Sequence, residues 1–391
     1  MTVMSKTLVL FLSIIGSFLI ASCEPMNDAQ EGIPLSCFDG FKDGDEIGVD
    51  CGGSCDSVCP IYENPIGGEI IWRTVLKTGM TYTLTKPLII RDQSLLEIQA
   101  GVTIKVVPHI GAYIAIAQGG QLLCHGNALQ PIVFESLNQN AAPGEWAGII
   151  ALGKARTNYP TPQMTSVGSY LYGGLEDYGN SIKLNYVSIK DAGETIHQVD
   201  QPALGLYAVG YNSSIDQVEI SNCKGAAINV VGGTPDLRKL YIHHTGKGIV
   251  STAGWRGSID EVYFSQIQSN PILFDNPVDQ LTEPRAEVTM DSISFIGPTS
   301  TAVISLLTKG AILSFTNGYM DRVATFISVD QSSKELISLH QIHVSSVEFV
   351  NPSSTFSLLY PKDLDTGFIT EGTTNGAGVT SELPAWASWI N

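Results

Sequence analysis

Charge is scarce in this chain, and positive charge scarcer still. Of 391 residues only 15% are Asp, Glu, Lys or Arg, with 21 basic against 38 acidic and a formal net charge of -17. A polyphosphate is held by a basic surface that releases counterions, so nucleic acid is excluded as a partner. Helical periodicity is lacking as well. From Gly68 onward no stretch keeps a 3.6-residue apolar repeat long enough for a domain-sized helix. Low hydrophobicity, the mark of a disordered chain, is also absent, since 43% of residues are hydrophobic. The 39 Gly follow no G-X-Y period, which excludes collagen. What is present, Gly with abundant Val, Ile, Ser and Thr, suits a β-rich fold with many tight corners. A chain this long needs either several domains or a repeating core that grows with length.

The one long apolar run, Leu8 to Ile20, is too short to cross a bilayer of about 30 Å as a helix. It follows Lys6 and ends in small residues, which is the pattern of a signal peptide. The end, Leu19-Ile20-Ala21-Ser22-Cys23, resembles the lipobox of bacterial lipoproteins. That resemblance implies cleavage after residue 22 and a diacylglycerol thioether on Cys23. An ordinary secretory signal would leave Cys23 as a spare thiol. Each buried acyl CH₂ contributes about 0.8 kcal/mol, so two or three chains anchor firmly to membrane lipid. Residues 23–36 carry Glu24, Asp28 and Glu31 and read as an acidic tether. They loosely resemble the surface-export signal of Bacteroidetes lipoproteins, which implies an outer-membrane protein facing outward.

Residues 37–60 hold Cys37, Cys51, Cys55 and Cys59. Four Cys so close together in an exported chain predict two disulfides, with three possible pairings. A segment this short cannot build an apolar core, so cross-links must replace it. Zinc is the weaker reading, because the spacings are not those of short Cys-x-x-Cys knuckles. The stretch Asp45-Glu-Ile-Gly-Val-Asp-Cys-Gly-Gly-Ser-Cys55 resembles a short module on surface proteins of the same phylum. Asp39, Asp43, Asp45, Glu46 and Asp50 are candidate ligands for a structural Ca²⁺ cofactor, although their spacing is not that of an EF-hand. Solvated turn carboxylates are the simpler reading. The two remaining thiols, Cys124 and Cys223, read as small buried apolar residues.

From Gly68 the chain shows apolar runs of four to seven residues between Gly, Asn, Ser and Pro. A unit of two apolar residues with one between recurs at Val187/Ile189, Val218/Ile220, Leu240/Ile242, Val262/Phe264, Ile293/Phe295 and Val347/Phe349. Successive steps are 31, 22, 22, 31 and 54 residues. Twenty-two residues fit one rung of a parallel β-helix, and the gap of 54 leaves room for a rung near Leu313/Phe315. Hairpin signals are missing, which argues against an antiparallel sandwich. Leu96-Glu-Ile98, Gly101, Gly119-Gly-Gln-Leu122, Pro131-Ile-Val-Phe134 and Gly144-Glu-Trp146-Ala-Gly148 resemble the opening rungs of right-handed β-helix surface proteins of the pectin-lyase-like class. The expected architecture is all-β: a right-handed parallel β-helix over residues 68–351 behind a small disulfide-rich module. Trp146 is expected to cap apolar surface. Residues 352–391, with Trp386 and Trp389, are expected to cover the C-terminal end of the solenoid. Residues 155–180 read as a long loop leaving the helix.

The pectin-lyase-like class includes polysaccharide lyases and hydrolases, so catalysis is one reading. The body has no Asp-Asp pair, no Gly-His-Gly and no Arg-x-Lys. Asp216 and Asp260 precede Val218 and Val262 by the same interval, and Asp236 precedes Leu240, so carboxylates on neighbouring rungs are the residual enzyme signal. His243 and His244 are adjacent in a strand and cannot share one metal ion without a bend. His340 and His343 do not alternate onto one face either. The favoured reading is a non-catalytic binding or scaffold protein, either an adhesin or an accessory subunit of an outer-membrane barrel complex. Glycans and other surface proteins are its expected partners, and Trp255 is the expected exposed aromatic. Asp56-Ser57-Val58 and Asp291-Ser292-Ile293 resemble the O-glycosylation motif of this phylum, with Ser57 the better placed and Ser292 beginning an inward strand.

Overall fold

A computed structural model describes residues 35–38, 44–47, 50–276, 283–379 and 384–390. The signal segment, Cys23, Asp39 and Asp43 lie outside the described residues. The chain divides into two compact units, 1–61 and 62–391. Among the described residues no helix is long and apolar enough to cross a membrane.

In the first unit the disulfide expectation is met and the pairing is resolved. Cys37 joins Cys55 and Cys51 joins Cys59, with Cα atoms 5.6 and 5.0 Å apart. The interleaved bridges close a segment whose other described element is a single 3₁₀ turn, Leu35–Phe38. Cross-links here stand in for a core.

The second unit is a parallel β-helix. One sheet of 22 strands runs from residue 65 to residue 371, and all its named pairings are parallel. Outside it stand two short antiparallel ribbons, Gln163–Met164 with Leu171–Tyr172 and Thr195–Ile196 with Val199–Asp200. The strand Asp236–Thr252 shows how a rung is made. It bends at Lys239 (φ 50°) and at His244 (φ 52°), giving a first leg at 236–238, a second at 240–243 and a third at 249–252. Corresponding residues of successive rungs pair in register, so Val218 meets Leu240 and Leu240 meets Val262.

The corners are stacked left-handed residues, and few are Gly. Tyr186, Gln217, Lys239, Glu261, Ser292, Asn317 and Ser346 form the first column, all with φ between 50° and 60°. A side chain in this region costs roughly 1–2 kcal/mol per residue. The cost is offset because the bend turns the next leg's apolar pair into a continuous interior. Val187, Ile189, Val218, Ile220, Leu240, Ile242, Val262, Phe264, Ile293 and Phe295 are each 0% exposed. The rung expected near Leu313 and Phe315 exists, as Ile312–Asp321, but those two residues belong to its first leg. Its second leg carries Gly318 and Met320 in register with Ile293 and Phe295. Gly in the inward slot is why the apolar-x-apolar count skipped a rung. Cys124 and Cys223 are buried in this core as expected, and burial pushes the Cys223 thiol up to about 12.

Three expectations need correction. Trp255 is not an exposed aromatic: it is fully buried and its indole N–H donates to the Pro235 carbonyl at 2.9 Å. Trp146 is likewise interior, donating to the Lys190 carbonyl at 2.7 Å. The tail does not simply cover the end of the solenoid. Ser357–Tyr360 and Ile369–Glu371 continue the rungs. The chain then turns back along the outer side of the second legs. The Thr374 amide donates to Glu348, the Ala377 and Gly378 amides to the Ser294 hydroxyl, and the Trp386 indole to the Ala377 carbonyl. Trp389 donates to Gln217 Oε1 at 3.0 Å and meets the Tyr186 ring edge-on. The strap thus lies on the column Tyr241, Tyr263, Ser294, Tyr319 and Glu348, where three tyrosine rings would otherwise meet water.

Candidate functional site

The third legs present an outer column, because alternate residues of a strand face away from the core. In register it runs Gly205, Asn229, Val250, Leu273, Ser305, Ser328 and Tyr360. The segment 155–180 leaves the helix as expected, carries its own short ribbon, and packs over the earlier part of this face. Val167 and Tyr172 pack with Ala115, Ile150 and Leu152. Asp177 fastens it, accepting from the Arg156 amide at 2.9 Å and from both terminal nitrogens of Arg256 at 3.1 and 3.3 Å. Burial alone would raise the Asp177 carboxyl, but the Arg256 bonds and the other donors outweigh it and hold the group below its ordinary value.

Beyond that cover two cavities follow one another along the column, with the buried Leu273 between them. The first, of roughly 330 Å³, is lined by Asp200, Lys224, Asn229, Lys247, Val250 and Gln268 among others. The second, of roughly 340 Å³, is lined by Asn270, Thr301, Ser305, Thr325, Ser328 and Tyr360 among others. Gln268, Ser269 and Asn270 belong to one corner, so the two cavities adjoin. Five steps from Asn229 to Tyr360, at about 4.8 Å each, make a groove on the order of 24 Å long. Lys224 reaches Asp200 at 3.3 Å and also donates to Thr195 in the short ribbon beside the first cavity. The Thr195 hydroxyl, and then Lys224, hold the Asp200 carboxyl below its ordinary value. Asn229 Oδ1 has no hydrogen-bond partner among the described residues. Tyr360, 59% exposed, offers a ring at the far end. Among the described residues that line the two cavities, Asp200 is the only carboxylate.

The carboxylates singled out from sequence sit elsewhere, on the outer side of the first legs. Asp216 pairs in register with Arg238, and Arg238 with Asp260. Two rungs therefore separate Asp216 from Asp260, with a cation between them that lies 3.6 Å from Asp260. The adjacent carboxylate is Asp291, which accepts from Ser292, Thr316 and Asn317. Asp236 stands in the neighbouring column and accepts twice from Ser258, at 2.9 and 2.7 Å. Asp236, Asp260 and Asp291 are engaged with neighbouring rungs, Asp216 Oδ1 has no hydrogen-bond partner among the described residues, and no two of those expected as an acid-base pair are brought together. His343 lies on this same outer face and His340 at a turn with φ 53°.

A correction applies to His243 and His244. The bend that the strand geometry would require is present at His244, and the two Nδ1 atoms lie 2.8 Å apart. His243 Nε2 lies 2.9 Å from Glu219 Oε1, on the preceding rung. Burial pushes the Glu219 carboxyl up, but His243, Lys190 and Ser188 together outweigh it and hold it below its ordinary value. Burial, and then the neighbouring His243, lower His244. Tyr241 stacks on His243 with ring centroids 4.3 Å apart.

In the Cys module, Asp45 accepts from the Ser54 hydroxyl at 2.8 Å and Glu46 from the Asp50 amide at 3.2 Å. These carboxylates serve turns of the module. Cys37, Glu46 and Cys55 cluster closely, but the two sulfurs are joined to each other. Ser57 is exposed in the same module. Ser292 does not begin an inward strand; it occupies a left-handed corner and its hydroxyl donates to Asp291 at 3.0 Å.

Sequence reasoning passed over Lys224, Lys247, Asn229, Gln268 and Tyr360. They carry no motif, and only the register of the solenoid aligns them. Searches of curated proteins and of solved structures each return no match. Residues 68–390, the solenoid and its returning tail together, match the family described as "Pectate-lyase like beta helix domain". The chain belongs to that family.

Proposed function

We propose that this protein is a surface glycan-binding β-helix, anchored by lipid on Cys23, that holds an extended carbohydrate without cleaving it. It acts outside the outer membrane, as an adhesin or as the glycan-holding subunit of a barrel complex. The observation that carries the reading is the groove on the third legs. It is long, straight and lined by hydroxyls, amides and two Lys, with an aromatic ring at one end. Such a surface suits a polymer with many hydroxyl groups, and its repeat along the axis suits a repeating ligand. Glycoside hydrolysis uses two carboxyl groups flanking the scissile bond, and this groove contributes one.

Incubation with a panel of soluble polysaccharides tests the proposal. Retention of a polysaccharide by the protein, weakened by Lys247→Ala and by Tyr360→Ala, with the polymer recovered at full length, is the expected result. The second reading, a polysaccharide-active enzyme, is favoured by the pectate-lyase-like description of the family. Appearance of new reducing ends or of unsaturated products would establish it and overturn the non-catalytic proposal. The anchor is tested separately: Cys23→Ala moves the protein from the membrane fraction to a soluble pool, and persistence in membranes contradicts lipidation.

A further inference from the structure

We infer that His243 and His244 form a binding site for a divalent transition-metal ion of tetragonal preference, Cu²⁺ before Ni²⁺. The inference is independent of the glycan groove. It rests on an unusual juxtaposition. Neighbouring residues of a straight strand point to opposite faces, but the left-handed corner at His244 swings its ring round until the two Nδ1 atoms face each other across 2.8 Å. Glu219, buried on the preceding rung, lies 2.9 Å from His243 Nε2. A carboxylate only accepts, so Nε2 carries the proton and His243 Nδ1 presents its lone pair. This is the arrangement in which a carboxylate orients an imidazole for a metal, fixing its tautomer and raising its basicity. Ser188 and Lys190 hold Glu219 in turn, and Tyr241 stacked on His243 fixes the ring plane.

The spacing selects the metal. With metal–nitrogen bonds of about 2.0–2.1 Å, nitrogens 2.8 Å apart subtend roughly 86° at the ion, whereas a tetrahedral pair would stand about 3.3 Å apart. An angle near 90° is that of square-planar or octahedral sites, and among first-row ions with imidazole ligands Cu²⁺ binds most tightly. Without an ion, one proton bridges the two Nδ1 atoms. On binding, His244 keeps its proton on Nε2 instead, both Nδ1 lone pairs meet the ion, and water completes the coordination.

Titration of Cu²⁺ into the purified full chain, followed by calorimetry and electron paramagnetic resonance, tests the site. The expected result is one Cu²⁺ per chain with coupling to two nitrogens. His244→Ala and His243→Ala each abolish the two-nitrogen pattern, and Glu219→Gln weakens binding about 10–100-fold while retaining it. The double variant His340→Ala/His343→Ala leaves affinity and spectrum unchanged. His244 is an exposed residue, so its variant keeps the fold, which a circular dichroism spectrum verifies. Affinity and spectrum unchanged in His244→Ala, or a site lost only in His340→Ala/His343→Ala, would overturn the inference.

Discussion

Gly318 occupies an inward slot of the second leg whose register partners are Ile293 and Val347. By the repeat alone, Gly318→Val should restore the pattern and stabilise the rung. The packing argues the opposite. A Cβ at Gly318 would stand 2.6 Å from Phe315 Cζ and 3.1 Å from the Met320 methyl. Phe315 cannot yield easily: it is 1% exposed, and Phe326 packs against it with centroids 6.1 Å apart. The Phe315 ring therefore already fills the volume that a Val would occupy in other rungs. Overpacking of this kind costs about 1–3 kcal/mol, a factor of roughly 5–150 in the folding equilibrium. Urea denaturation followed by circular dichroism should show the midpoint of Gly318→Val shifted down. Phe315→Leu should be destabilising alone through the gap it leaves, and should relieve Gly318→Val when the two are combined. A Gly318→Val protein as stable as its parent, or strictly additive effects of the two substitutions, would refute the compensation between Phe315 and Gly318.

Three further outcomes are expected. Thiol labelling of the unreduced native protein should leave Cys37, Cys51, Cys55 and Cys59 unmodified and should reach Cys124 and Cys223 only on unfolding; rapid native labelling of any of the first four contradicts the pairing. Trp389→Ala removes the bond to Gln217 and the contact with Tyr186, so limited proteolysis should trim the segment after residue 371 while the rungs resist; cleavage spread along the solenoid would show that the strap holds more than itself. Glu219 is held below its ordinary value in the folded chain, so it contributes stability that is present above about pH 4.3 and lost as pH falls through its folded value. Thermal melts between pH 7 and pH 3 should fall less steeply for Glu219→Gln than for the parent, and equal slopes would contradict the contribution.

The solenoid was legible because its interior obeys a simple rule: a rung buries alternate residues, and the apolar pair after the first corner recurs wherever that corner recurs. Even the missed rung follows the rule, since Gly318 is apolar space filled by a neighbour. The corners were not legible. Tyr186, Gln217, Lys239 and Glu261 adopt a conformation that sequence reasoning reserves for Gly and Asn, because tertiary pairing on both sides over-determines them. A second left-handed corner, at His244, explains why His243 and His244 meet although strand alternation separates them. Trp255 was misread because its apolar ring packs inside and its one polar atom finds the Pro235 carbonyl, a partner that no local pattern reveals. The groove was hidden for a different reason. Asn229, Val250, Ser305 and Ser328 follow Val218, Leu240, Ile293 and Gly318 by 11, 10, 12 and 10 residues. That regularity becomes visible only once the second legs are aligned, and their types are too ordinary to draw notice singly.

A crystal structure of the chain soaked with a polysaccharide fragment that it retains tests the central claim most directly. The account predicts sugar density along the outer column of the third legs, between Asp200 and Tyr360, with the glycosidic bonds intact. Density confined to the Asp216–Asp260 face of the first legs, or a cleaved product in the groove, would contradict it.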